Sequence, residues 1–133
     1  KTKLENYINK NKLNKNVKLL NFVENPYNYI KQTDLFILSS KYEGLPNVLL
    51  ETLVIRKFII SSDCPTGPKE ILSNGKGGLL FKNGDYKDLS KKIIFYSKNQ
   101  KKCNQLLKFA IKKLYRFDFK KNLEKYYKLI NSI

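Results

Sequence analysis

A seven-residue run, Asp34-Leu-Phe-Ile-Leu-Ser-Ser40, constrains this chain more than any other feature, because it leads through a glycine–proline turn straight into an apolar helix. The run is short and almost wholly apolar at its centre, the pattern of a strand buried on both faces of a parallel sheet. The next segment, Glu43-Gly-Leu-Pro-Asn-Val-Leu-Leu-Glu51, reads as a turn and then a helix over about 46–55. A chain that leaves a strand and turns into a helix brings backbone N–H groups to the carboxyl edge of the sheet, where open α/β folds bind ligands. The first N–H groups of that helix lack partners and its dipole end is positive, so the site suits an anion. Glu43 stands just before the helix and Glu51 lies further along it, and both can accept hydrogen bonds from hydroxyls. A ligand with phosphate in its middle and hydroxyls at both ends fits this order of groups. A nucleotide sugar is such a ligand.

The rest of the chain repeats the alternation. Residues 2–12 read as a helix with Leu4, Tyr7 and Ile8 on one face, and Val17-Lys-Leu-Leu-Asn-Phe-Val23 reads as a strand. A short helix over 26–32 precedes the run at 34–39, and Phe58–Ser61 forms the next strand. A short helix begins near Gly67-Pro-Lys-Glu70, with proline in a first-turn position that suits it. Residues 78–81 give another strand, and Asp85 caps a helix reaching about Lys98, with Leu89, Ile93 and Ile94 inward. Beyond it the chain is helical, with a break around Phe117–Phe119. Strands alternating with helices predict an α/β, Rossmann-like parallel sheet with helices on both faces. Residues 1–100 are assigned to that lobe and 101–133 to a basic helical tail of the same domain.

Several function classes fall away. The chain has no histidine, which excludes Ser-His and Cys-His nucleophile pairs and histidine-bearing zinc sites. Cys64 and Cys103 lie far apart with no metal-ligand spacing, the usage of two reduced thiols in a cytosolic protein. No apolar run approaches the ~20 residues of a membrane-spanning helix, and the first residues show no signal-peptide pattern. Lys1-Thr-Lys-Leu-Glu reads as the interior of a helix, so the chain is expected to be a piece of a longer protein.

The net charge of +16 comes almost entirely from lysine, with arginine only at 56 and 116. Lysine lacks the bidentate fork that reads bases, and no nucleic-acid motif accompanies the charge. Ten basic side chains lie in residues 101–133 against only Asp118 and Glu124.

The segment Tyr42-Glu-Gly-Leu-Pro-Asn-Val-Leu-Leu-Glu51 resembles the paired-glutamate motif of retaining GT-B glycosyltransferases, in the large group 1 (family 4) set that includes bacterial surface-polysaccharide enzymes. The resemblance continues through Ile60-Ser-Ser-Asp-Cys-Pro-Thr-Gly-Pro-Lys-Glu-Ile-Leu72, then Gly77-Gly-Leu-Leu-Phe81 and Asn83-Gly-Asp85. Three segments in this order cover roughly residues 17 to 95. The resemblance implies most of the C-terminal, donor-binding lobe, with Glu43 catalytic at the donor sugar and Glu51 on the ribose. It also implies that the backbone of Asn47, Val48 and Leu49 meets the diphosphate, with Gly44, Leu45 and Pro46 of the preceding turn donor-binding as well. Main chain at Phe22 and Val23 would pair with the uracil edge. Thr66, Gly67 and Lys69 are assigned to a structural turn, with lining of the pocket as the alternative, and Glu70 to a helix start.

The same resemblance implies transfer from a UDP-sugar to a surface glycan or lipid-linked acceptor, without metal or other cofactor. It places the acceptor lobe and the first strand and helix of the donor lobe ahead of Lys1, and these parts carry the basic pair that meets the leaving diphosphate. A cytoplasmic enzyme is expected, with the basic tail either solvated, packed on the acceptor lobe or touching an anionic inner membrane face. One departure concerns the helix end. Relatives carry a small residue, a glycine and a proline there, whereas this chain has Ile55-Arg56-Lys57-Phe58, so its helix is expected to end differently. Two other function classes stay open: a non-catalytic nucleotide-sugar or polysaccharide-binding module, and a basic nucleic-acid-binding α/β domain.

Overall fold

The computed structural model describes residues 2–132, so Lys1 and Ile133 lie outside the described residues. Three strands, β1 (Leu35–Leu38), β2 (Phe58–Ser62) and β3 (Leu79–Phe81), form one parallel sheet in chain order. Leu35 stands opposite Phe58 and Ile60 opposite Leu79, which brings all three carboxyl ends to one edge. Helices α1 (Thr2–Lys10) and α2 (Tyr27–Gln32) precede the sheet, and α3 (Asn47–Val54) and α4 (Pro68–Ile71) connect its strands. After β3 come α5 (Tyr86–Lys98), α6 (Gln100–Lys112), a 3-10 turn at Leu114–Phe117, and α7 (Phe119–Ile130).

β2 is buried along its whole length, and its alternating side chains feed two cores. Ile59 joins Leu49 and Leu53 of α3, Ile71 and Leu72 around α4, and Ala110 of α6. Phe58 and Ile60 join Phe81 and Cys103, with Leu89, Phe95 and Tyr96 of α5 packed against them. Burying each such leucine or isoleucine stabilises the fold by about 1.5–3 kcal/mol. Helices therefore cover both faces, as the alternation in sequence predicts. Both cysteines are buried and free, and burial pushes the Cys103 thiol above its ordinary value, with Lys102 pulling it down.

Three local expectations need correction. Val17–Val23 is not a strand, and β1 pairs with β2 alone. A strand exists only where its N–H and C=O groups find a ladder, and this segment leaves Val17, Leu20 and Phe22 exposed. On α5 the inward side chains are Leu89, Phe95 and Tyr96, while Ile93 and Ile94 are exposed. Tyr96 decides the helix's rotation, since it stacks on Phe58 at 5.1 Å and its hydroxyl donates to the Asp34 carbonyl. The α3 helix does not end differently from a glycine-capped one. Arg56 takes the left-handed conformation itself, at φ +62°, and the pair Lys57 N–H to Thr52 O and Arg56 N–H to Leu53 O closes the helix as glycine would.

The Asp85 start of α5 agrees with the sequence pattern, and α7 starts in the same way. Asp85 accepts from the N–H groups of Lys87 and Asp88 at 3.0 Å each, and Asp118 accepts from Lys121 at 2.9 Å.

Candidate functional site

The loop from β1 to α3 carries Glu43, which is half-buried, between exposed Tyr42 and exposed Leu45. Pro46 is buried at the N-cap of α3, and neither a capping side chain nor an acidic residue occupies the first turn. Uncapped N–H groups and the positive dipole end therefore meet at Asn47 and Val48. Leu49 stands apart from them: its N–H donates to the Pro46 carbonyl at 2.9 Å and its side chain is in the core. Gly44 has no left-handed φ, and a Cβ there would meet nothing within 4 Å, so the turn itself does not call for glycine. Its bare backbone lies open for close approach from outside.

Glu51 projects into a cleft of about 620 Å³ between α2 and α3, lined by Asn25, Tyr27, Asn28 and Lys31 on one side and Leu50, Val54 and Ile55 on the other. The Glu51 carboxylate beside Tyr27 raises the tyrosine's pKa, and burial and a hydrogen bond between the two act in the same direction. Asn25, Tyr27 and Asn28 line this cleft, and the sequence motifs do not single them out. A sequence signal existed in Asn25-Pro26-Tyr27, since the Asn25 side chain accepts from the Tyr27 N–H at 3.1 Å and opens α2. Phe22 and Val23 do not line this cleft, and Phe22 is 91% exposed.

The loop after β2 approaches the Glu43 loop. Gly67 holds φ +78°, and a Cβ there would overlap the Gly44 carbonyl and lie 2.5 Å from Pro46 Cδ. Lys69 pairs with Asp63 at 3.0 Å. Glu70 lies in the first turn of α4, and its carbonyl accepts from Arg116. Arg116 also donates to the Ser73 hydroxyl at 2.9 Å, which ties the 3-10 turn to α4. Further on, α7 has no buried residue, and Phe119, Tyr126, Tyr127, Leu129 and Ile130 are all exposed.

The family model described as glycosyl transferases group 1 matches residues 1–113. The chain belongs to this family. A Campylobacter jejuni N,N'-diacetylbacillosaminyl-diphospho-undecaprenol alpha-1,3-N-acetylgalactosaminyltransferase is 34% identical over 104 residues, which is 78% of this chain and 27% of that enzyme. An uncharacterized glycosyltransferase of Methanocaldococcus jannaschii is 47% identical over 72 residues, 54% of this chain and 18% of the relative. Thus the group 1 chain spans between 18% and 27% of the length of these relatives. Among solved structures, Anabaena HepE in complex with UDP matches at TM-score 0.88 and 21% identity, over 99% of this chain and 36% of that one. TarM matches at TM-score 0.85 and 23% identity, over 98% and 26%. At this identity the likeness is one of fold, the GT-B Rossmann-like lobe that the sequence implies. Among the described residues, no helix of the group 1 chain is long and apolar enough to cross a membrane.

Proposed function

We propose that this group 1 lobe holds the nucleotide-sugar donor of a glycosyltransferase that moves a sugar from a UDP-sugar to a surface glycan or glycolipid acceptor, with retention. One observation carries the reading. The uncapped first turn of α3, at Asn47 and Val48, lies between two carboxylates, with the open backbone of Gly44 beside it. Diphosphate meets the helix end, where the dipole contributes about 0.3–2 kcal/mol. Glu43 accepts from a hydroxyl of the sugar and is the catalytic carboxylate. Glu51, with Tyr27 beside it, accepts from the ribose, and the α2–α3 cleft takes the nucleoside end. The departing diphosphate is met by this dipole and by basic side chains, with no metal in the scheme.

The relatives support the donor and acceptor classes by their own descriptions: HepE is solved with UDP, and the Campylobacter enzyme acts on an undecaprenol-linked sugar. An acceptor on a lipid carrier would bring the enzyme to the anionic cytoplasmic leaflet. There the exposed lysines and aromatics of α7 would meet headgroups, each lysine near the surface contributing about 1 kcal/mol. Sedimentation with anionic vesicles at two salt concentrations tests that contact, and binding that ignores lipid charge contradicts it.

Glu43→Gln in the full-length enzyme tests the site. A charge-assisted hydrogen bond is worth about 1.5–3 kcal/mol, so turnover should fall by about 10- to 150-fold with the fold intact. Unchanged turnover would return Glu43 to an ordinary loop carboxylate.

A further inference from the structure

We infer that Ser62, Thr66 and Asn83 are positioning residues for Glu43, reaching from the end of β2 and from the loops after β2 and β3 to fix the backbone that carries it. The inference rests on Glu43 being the catalytic carboxylate. No hydrogen bond or ion pair holds the Glu43 side chain among the described residues, so its aim is set by the loop. That loop has little core of its own, since Tyr42 and Leu45 are exposed and only Pro46 is buried.

Its carbonyl groups supply the anchoring instead. Ser62 Oγ donates to the Ser40 carbonyl at 2.5 Å, and Asn83 Nδ2 donates to the Lys41 carbonyl at 2.7 Å. Thr66 Oγ1 donates to the carbonyl of Glu43 itself. Gly67 then abuts Gly44 so closely that no side chain fits between them. Residues 40, 41, 43 and 44 are thus each held from outside the loop, by groups 22, 42 and 23 residues away in sequence and by Gly67. Thr66 is exposed and Asn83 half-buried, and neither belongs to a hydrophobic core. Hydrogen bonds at such positions add little to global stability, and what they do fix is the path of one loop. A misplacement of about 1 Å at a reacting group costs on the order of 100-fold in rate.

The test uses the full-length transferase that contains this lobe, assayed with a UDP-sugar donor, beside Glu43→Gln as a control. Thr66→Val should lower kcat by about 10- to 100-fold. It should leave the donor KM within about twofold and the thermal midpoint unchanged, the pattern of an interaction made in the transition state. Thr66→Ser keeps the hydroxyl and should restore kcat, and Asn83→Ala should lower it in the same sense. Parental kcat in Thr66→Val beside a crippled Glu43→Gln would overturn the positioning role while leaving the site intact. A kcat loss that serine does not rescue, or one matched by a lower thermal midpoint, would also overturn it by making Thr66 structural. Parental turnover in Glu43→Gln would sink the reading of the site, and the positioning role with it.

Discussion

The β1–α3 loop and helix α7 both show apolar side chains to solvent, and they differ in what fixes them. The loop exposes Tyr42 and Leu45, yet side chains from the end of β2 and from two other loops hold it through its carbonyl groups. α7 exposes a larger apolar set, and among the described residues its side chains reach only the adjoining 3-10 turn, the Asn122 amide donating to the Arg116 carbonyl at 3.0 Å and Lys121 lying over the Tyr115 ring. Polar anchoring fixes the path of an open loop that has little core beneath it. An amphipathic helix with no buried residue leaves its apolar face open to solvent.

The contrast breaks most visibly under core and tail truncations. Ile59→Ala removes a fully buried side chain from β2 and should cost about 2–5 kcal/mol. Tyr126→Ala on α7 should stay within about 0.5 kcal/mol. Urea melts of the two variants decide it, and similar costs would show that α7 is packed rather than open.

What the sequence revealed rested on local patterning. Apolar runs at β1, β2 and β3 were legible because strands of a covered sheet are short and apolar, and Asp85 was legible as a cap because capping is a contact within three residues. The Glu43 loop, the first turn of α3 and Glu51 were placed for the same reason, being contiguous in the chain. Val17–Val23 misled, since its apolar pattern says nothing about whether a ladder partner stands beside it. Tyr27 beside Glu51, Thr66 on Glu43 and Asn83 on Lys41 were hidden because each joins residues more than 20 apart. Those contacts exist only once the strands align.

Smaller effects sharpen the picture of the helix that bears the site. Arg56 holds a left-handed φ of +62° that costs a side-chain-bearing residue about 1–2 kcal/mol, against about 0.5–1 kcal/mol of chain entropy for glycine. Arg56→Gly should therefore raise stability by about 0.5–1 kcal/mol, read as a higher urea midpoint at unchanged slope. A loss would mean that the arginine side chain itself holds the end of α3.

The subtlest expectation concerns Tyr27, whose pKa is raised chiefly by the Glu51 carboxylate. The neutral phenol is favoured in the fold, so its contribution is intact below the ordinary tyrosine value and is lost as pH rises through the raised one. Glu51→Gln should bring the Tyr27 pKa down toward the ordinary value, as monitored by NMR of its ring carbon. An unmoved titration would separate the two side chains.

Binding of UDP to the full-length enzyme and to its Glu51→Ala variant, compared by calorimetric titration, tests the central claim most directly. The proposed partner of Glu51 is the ribose, so the variant should bind UDP more weakly by about 10- to 150-fold, the worth of a charge-assisted hydrogen bond of about 1.5–3 kcal/mol. Equal affinity in variant and parent would return Glu51 to a solvated helix residue and contradict the placement of the nucleoside between α2 and α3.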